Sequence, residues 1–280
     1  MAMRYGYSLN AGDDFNATVD LACAAEEAGW DGFFVPDGIA IAVPELGAFP
    51  LFDPWVVLGA ISARTSRIRL GTMITPVSRR RPWKLARECV TVDHISKGRL
   101  ILSVGLGAAT DDGGFHKVGE EMDLKRRAER LDEGLQILDG LWKGKPYTFA
   151  GEHFRVDGMT MIPGPVQSPR IPIWVVGVWN KPKSMRRTLE WDGVVPQKAN
   201  GLEPLSPDDI RRLGAYVAER RSAQGPFDVI TGGPSVGKGK RPAEIVRPYA
   251  EAGATWWIEG DMAADSVGKC FERVRQGPPV

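Results

Sequence analysis

A chain of 280 residues that is 43% hydrophobic and 25% charged has the composition of an ordinary globular protein, long enough to bury one sizeable core. Its 36 basic and 35 acidic residues nearly cancel and are scattered rather than blocked, which argues against nucleic acid or another polyanion as a partner. No apolar run approaches the roughly eighteen residues of a membrane span, and the opening MAMRYGYSLN lacks the parts of a signal peptide, so the expectation is a cytoplasmic protein with no membrane partner.

Along the chain, short apolar runs alternate with amphipathic stretches. RYGYSLN reads as a first strand and FNATVDLACAAEEAG as a helix with an apolar face at Val19, Ala22, Cys23 and Ala28. GFFVPD, IRLGTMI and RLILSVG follow as strands, separated by the helical DPWVVLGAISART and RPWKLARECVTVDHIS. After the helix LKRRAERLDEGLQILDGLW comes a proline- and glycine-rich excursion over residues 145–170, which reads as a small hairpin and a loop. IPIWVVG, DGVVPQ, FDVITGG and TWWIEG complete the strands, alternating with the helices that begin at Pro182, Ser206, Pro242 and Ser266. Pro54, Pro82, Pro207 and Pro242 stand in first helical turns, where the missing N–H costs nothing.

Eight strands alternating with eight helices predict an α/β fold with a parallel sheet closed into a (β/α)8 TIM barrel, residues 1–280 forming a single domain. The strands are apolar on both faces, as expected of a sheet packed inside and covered by helices outside. Ligand chemistry in such a barrel lies at the carboxyl ends of the strands. Those ends hold Asn10, Asp37, Met73–Thr75, Gly105–Ala108, Gly177–Asn180, Gln197 with Lys198, Thr231–Gly233, and Glu259 with Asp261. The ring is small, apolar and amide-like, so a cofactor rather than protein side chains is expected to carry the chemistry.

Three motif lookalikes fail. The glycines after RLILSVG do not spell a dinucleotide fingerprint, because Gly105 and Gly107 are followed by Thr110 and the loop lies in the fourth unit. GPSVG matches a nucleophile elbow at Ser235, but the histidines His94, His116 and His153 all lie upstream of it. Gly232–Lys238 nearly spells a phosphate loop, with Gly239 where a Ser or Thr is needed. Lys238 and Lys240 survive as phosphate-contact candidates. His94 falls at the closed end of the barrel and His153 in the hairpin, whereas His116 follows the glycine loop on the open face and is a catalytic candidate. Cys23, Cys89 and Cys270 are odd in number and far apart, which predicts buried thiols; no residue spacing supports a metal site.

DPWVVLGAISARTSRIRLGTMITP, RRPWKLARECVTVDHISKGRLILSVGLG, RAERLDEGLQILDGLWKG, PVQSPRIPIWVVGVWNKPKSMRRTLEWDGVVP and AEAGATWWIE resemble, in order, the bacterial luciferase-like superfamily of flavin-dependent oxidoreductases. The resemblance implies the same barrel and gives roles to single positions. Asp37 matches an acidic residue beside the flavin, a catalytic candidate, with Gly38 where the family often has histidine. Met73 and Ile74 match a bulge under the isoalloxazine ring, commonly with a non-prolyl cis peptide. Gly105, Leu106, Gly107 and Ala108 match the loop along the flavin's pyrimidine edge or ribityl chain. Ala108 stands where the deazaflavin branch often has glutamate. Gly177 and Val178 match a backbone phosphate site, Trp179 a ring or substrate contact, and Lys198 a basic phosphate contact.

The function expected first is an FMN-dependent oxidoreductase or monooxygenase acting on a small organic substrate, with reduced flavin supplied by a reductase partner or formed in place. Coenzyme F420-dependent hydride transfer is the alternative, and a non-catalytic flavin-binding barrel is a third reading. The resemblance further implies a homodimer.

Overall fold

The computed structural model describes residues 2–9, 12–43, 47–107, 114–199, 204–236, 239, 241–260 and 266–280. The first half of the chain forms β1 (Arg4–Ser8), α1 (Phe15–Glu27), β2 (Gly32–Val35), β3 (Ile41–Val43), β4 (Gly47–Phe49), α2 (Pro54–Arg64), β5 (Arg69–Pro76), α3 (Pro82–Ile95), β6 (Leu100–Gly105) and α4 (Leu124–Trp142). The second half forms β7 (Tyr147–Ala150), β8 (Arg155–Met159), β9 (Ile173–Val178), α5 (Pro182–Thr188), β10 (Gly193–Gln197), α6 (Pro207–Arg220), β11 (Asp228–Gly232), α7 (Pro242–Glu251), β12 (Trp256–Glu259) and α8 (Val267–Arg275).

Helix starts are chemically marked. Asp14, Asp53 and Asp123 each accept a backbone N–H of the first turn, and Ser206 with Asp209 closes a reciprocal capping box. Proline occupies the first turn of α2, α3, α6 and α7 as expected, and of α5 as well.

The eight long apolar runs close a parallel barrel in the order β1-β12-β11-β10-β9-β6-β5-β2. The (β/α)8 expectation therefore holds strand for strand. Its interior is filled by Phe34, Ile101, Trp174, Ile230, Trp256 and Ile258, with the Trp174 and Trp256 rings 5.2 Å apart and Phe34 5.6 Å from Trp174. Glycines opposite make room for these side chains. A Cβ on Gly6 would lie 2.8 Å from both Ile258 and Phe34, and one on Gly193 2.6 Å from Trp174.

Two antiparallel pairs stand outside the barrel. β7 and β8 are the hairpin expected in the excursion; Glu133 of α4 accepts the amides of Glu152 and Phe154, and His153 lies 3.0 Å from Glu129. β3 and β4 pair between β2 and α2, a stretch in which the sequence marks no strand. With three residues each, these strands are too short for alternation to register in a sequence. At the closed end, His94 Nε2 lies 2.8 Å from the Gly164 carbonyl, and buried Arg99 donates to the carbonyls of Ser62, Thr65, Ile68 and Ser96. Cys89 and Cys270 are buried as expected, but Cys23 is only half-buried. No described helix is long and apolar enough to cross a membrane.

The turn into β5 is held by Glu26 at the end of α1, whose carboxylate accepts the amides of Ser66, Arg67 and Ile68 at 3.1, 2.6 and 2.7 Å. Burial works to raise its pKa, but those amide bonds outweigh it and the net shift is downward. A depressed folded pKa contributes stability above the ordinary glutamate value of 4.5 that is lost as pH falls through the folded value. The Tm gap between wild type and Glu26→Gln is accordingly expected to be full well above pH 4.5 and to narrow as the pH falls below it. Thermal melts across that range check it, and a gap independent of pH would refute the assignment.

Candidate functional site

Because every barrel strand is parallel, all eight carboxyl ends open on one mouth. On one side of it, β5, β6 and β9 bring three predicted residues into one place. The Met73–Ile74 peptide is cis, and the ladder to β6 shifts register between Thr72 and Thr75, so a bulge stands at the strand end. Gly105 ends β6 beside it, where an added Cβ would lie 3.4 Å from Ile74 Cγ2 and 3.1 Å from Val176 Cγ2. Met73, Ile74 and Gly105 thus sit together, with Val176 of β9 as a neighbour not foreseen from the sequence.

One step outward, the glycine loop is braced from behind. The Leu106 carbonyl accepts Arg127 Nε at 2.8 Å, Arg127 Nη2, and Ser78 Oγ at 3.3 Å. Gly107 has φ +85, and a Cβ there would fall 2.6 Å from Arg127 Nη2 and 2.7 Å from Phe115 Cζ. The lack of a side chain at Gly107 is therefore explained by the approach of Arg127 and Phe115, not by a ligand. Ala108, like Asn10, Lys238, Lys240 and Asp261, lies outside the described residues.

Asp37 stands just past β2 with a side chain wholly shielded from solvent. Its Oδ2 accepts Thr75 Oγ1 at 2.8 Å and Arg80 Nε at 3.1 Å, and its Oδ1 accepts Arg80 Nη2 at 2.7 Å and Arg79 Nη2. For Arg80, burial disfavours the charged form, but the Asp37 carboxylate more than compensates and the pKa is raised. Both oxygens of this carboxylate are thus engaged, by two guanidinium groups and a hydroxyl, an arrangement that suits an anchor. At the next residue, a Cβ on Gly38 would meet Ile41 Cγ1 at 2.6 Å, so the β3–β4 hairpin occupies the space a histidine would need.

Other candidates are placed differently from expectation. Gly177 faces outward, where a Cβ would lie 2.9 Å from Met185 Sδ and from Thr188 Cγ2, so this glycine admits helix α5. The Val178 amide donates to Ser184 Oγ and the Trp179 amide to the Gln197 carbonyl, so neither is directed at a phosphate. The Trp179 ring meets Tyr216 of α6 edge-on at 6.1 Å, which draws it into the outer helical layer and away from the mouth. Lys198, half-buried after β10, faces α7; burial pushes the Tyr249 phenol up while the Lys198 charge opposes it. His116 is exposed at the start of the 3-10 turn His116–Val118.

Across the mouth, Glu259 at the end of β12 accepts the Ser235 amide, Trp257 Nε1 and Arg273 Nε. Ser235 itself is buried with its hydroxyl accepting Arg273 Nη2, so the would-be nucleophile serves this network. Among the described residues no group of three side chains is arranged to hold a metal ion.

Sequence reasoning placed Thr75 at a strand end without giving it a role, and missed Arg79, Arg80, Phe115 and Arg127. The run SRRRP after the third strand was the available signal, since adjacent arginines at a barrel mouth require a carboxylate and Asp37 ends the neighbouring strand. Arg127 left none, because KRRAER reads as a solvated helix face.

The profile described as luciferase-like monooxygenase matches residues 2–269. An F420-dependent glucose-6-phosphate dehydrogenase of Nakamurella multipartita is 35% identical over 176 residues, which are 62% of this chain and 50% of that protein. The chain thus spans about half the length of the curated relative it matches there. Among solved structures, an F420-dependent secondary alcohol dehydrogenase in complex with an F420–acetone adduct superimposes with TM-score 0.78 at 17% identity, over 100% of this chain and 99% of that one. The oxygenating constituent of the 3,6-diketocamphane monooxygenase of Pseudomonas putida, in complex with FMN, superimposes with TM-score 0.65 at 18% identity, over 98% of this chain and 74% of that one. At these identities the structural likeness speaks for the fold alone.

Proposed function

The chain belongs to the luciferase-like monooxygenase family, and on that premise we propose that it is an oxidoreductase using the deazaflavin coenzyme F420 for hydride transfer to or from a small organic substrate. The observation that carries this reading is the 35% identity to an F420-dependent glucose-6-phosphate dehydrogenase. This proposal puts F420 before FMN, the opposite of the order expected from the sequence.

The residues present fit a flat ring with apolar faces. Gly105 leaves a cradle against Ile74 and Val176 that a Cβ would fill, and Ser103, two residues inward on β6, has a buried hydroxyl without a hydrogen-bond partner. When bound, F420 supplies a site that donates and accepts hydride. Met73, Ile74 and Val176 would shield that site from water, and Gly105–Gly107 would line one edge with backbone. Gln197 at the end of β10 would meet the polar remainder of the coenzyme. Asp37 and Glu259, both committed to arginines, hold the walls in place.

A second reading, an FMN-dependent monooxygenase with a reductase partner, is favoured by Ala108, which stands where the deazaflavin branch often has glutamate. Equilibrium dialysis against F420 and against FMN separates them. Tight F420 binding with weak FMN binding is expected; the reverse preference would replace the proposal by the monooxygenase, and binding neither would end both. Stoichiometric binding without turnover under any reductant would favour the non-catalytic barrel. Within the leading reading the chain works as a homodimer in the cytoplasm, and sedimentation velocity checks the stoichiometry.

A further inference from the structure

We propose that Asp37 is a positioning residue, the anchor of a buried chain through Arg79, Phe115 and Arg127 to the Leu106 carbonyl that holds the Met73–Thr75 bulge and the Gly105–Gly107 loop in fixed relation. The inference rests on reading those two segments as the cofactor cradle, but the coupling between them is a property of the protein alone. Asp37 reaches the bulge directly, because Thr75 Oγ1, the hydroxyl next after the Met73–Ile74 peptide, donates to its Oδ2 at 2.8 Å. It reaches the following turn through Arg79 and Arg80, both of which bond its Oδ1.

From there the chain continues through a ring. The Arg79 guanidinium lies 5.7 Å from the Phe115 centroid and the Arg127 guanidinium 4.9 Å from the same centroid. Arg127 then donates through Nε to the Leu106 carbonyl, and the bare Cα of Gly107 leaves space for both Arg127 and Phe115. Two cations sharing one aromatic ring repel each other, and the Asp37 carboxylate supplies the opposing charge that keeps Arg79 there. Removing that charge leaves the partly buried Arg79 guanidinium without its carboxylate, while Arg80 keeps Glu88 at 3.8 Å, and the route by which Arg79 recovers hydration is outward, away from Phe115. The disturbance should therefore appear at the glycine loop, which Asp37 contacts only through the chain.

Amide hydrogen exchange on the cofactor-free protein tests this without reference to any ligand. Asp37→Asn is expected to raise exchange both at residues 71–80 and at residues 104–107 and 114–119. Arg127→Lys, which keeps the charge but loses the forked donor, is expected to raise it at 104–107 and 114–119 only. Should Asp37→Asn fold poorly, Thr75→Val removes the hydroxyl that bonds both Asp37 and Thr72 without changing charge and should loosen 71–80, with a smaller rise at 104–107. Exchange at 104–107 and 114–119 that stays at the wild-type level in Asp37→Asn, or at 104–107 in Thr75→Val, would overturn the proposal.

A second readout separates positioning from proton transfer. In the loaded enzyme, Asp37→Asn is expected to weaken F420 binding by about tenfold, with the pH–rate profile keeping both limbs. Loss of a limb would make Asp37 the acid or base and overturn the proposal. If wild type binds no F420, the cofactor reading fails while the exchange result still decides the coupling.

Discussion

Replacing Gly105 by valine is expected to abolish cofactor binding and leave a folded barrel. A Cβ at this strand end lies 3.1 Å from Val176 Cγ2 and 3.4 Å from Ile74 Cγ2, tight but tolerable, and the backbone is not in the left-handed region. The two methyl groups beyond it have no such room. They must push apart Val176 and Ile74 or occupy the cradle between them, and either outcome removes the surface against which a flat ring would rest. Overpacking of this kind costs about 1–3 kcal/mol, or a fall in Tm of several degrees. Affinity for F420 is expected to fall at least ~100-fold, about 2.7 kcal/mol. Gly105→Ala stops at the tolerable contact and serves as the control. Fluorescence titration with circular-dichroism melts decides the matter; a folded Gly105→Val protein with wild-type affinity would remove Gly105 from the site.

The largest loss of stability is expected from Glu259→Ala. This carboxylate, 2% exposed, accepts the Ser235 amide at 2.9 Å, Trp257 Nε1 at 3.0 Å and Arg273 Nε at 3.1 Å. Arg273 is pinned from other sides, with its guanidinium 5.0 Å from the Trp30 ring and Nη1 donating to the Gly277 carbonyl. It cannot easily swing into water when its partner is lost. Leaving one member of a buried ion pair uncompensated costs about 3–5 kcal/mol, which for a chain of this size lowers Tm by roughly 10 °C. The double variant Glu259→Leu with Arg273→Met removes both charges and is expected to be more stable than Glu259→Ala. Thermal melts of Glu259→Leu, Arg273→Met and the double variant close the cycle, with Glu259→Ala beside them. A double variant less stable than either single one would mean that the site is held by packing rather than by charge.

Both predictions concern strand ends, and there the limits of the amino-acid sequence are plainest. The eight strands and eight helices were legible because their signals are local. An apolar run such as LILSVG, a proline in a first turn, or an aspartate such as Asp53 before a helix speaks within a few residues of itself. The β3–β4 hairpin escaped because three-residue strands carry no period. The positions of Met73, Ile74 and Gly105 came through because a resemblance to a family transmits strand-end positions along with the strands.

Roles were a different matter. Gly107 and Gly177 read alike as glycines at a mouth, yet one admits Phe115 and Arg127 and the other admits α5. Trp179 follows directly on β9, but its ring belongs to the layer of Tyr216. Arg127 lies among charged neighbours in a helix and is nonetheless buried. By itself, then, the sequence determined the closed parallel barrel, the helices around it and the family, because each rests on contacts between near neighbours or on a pattern repeated eight times. The tertiary structure alone decided which donors meet the Asp37 carboxylate, because its partners Thr75, Arg79 and Arg80 lie 38, 42 and 43 residues away. Whether a carboxylate is free to move a proton depends on which donors the fold brings within about 3 Å of it, and no local pattern records that distance.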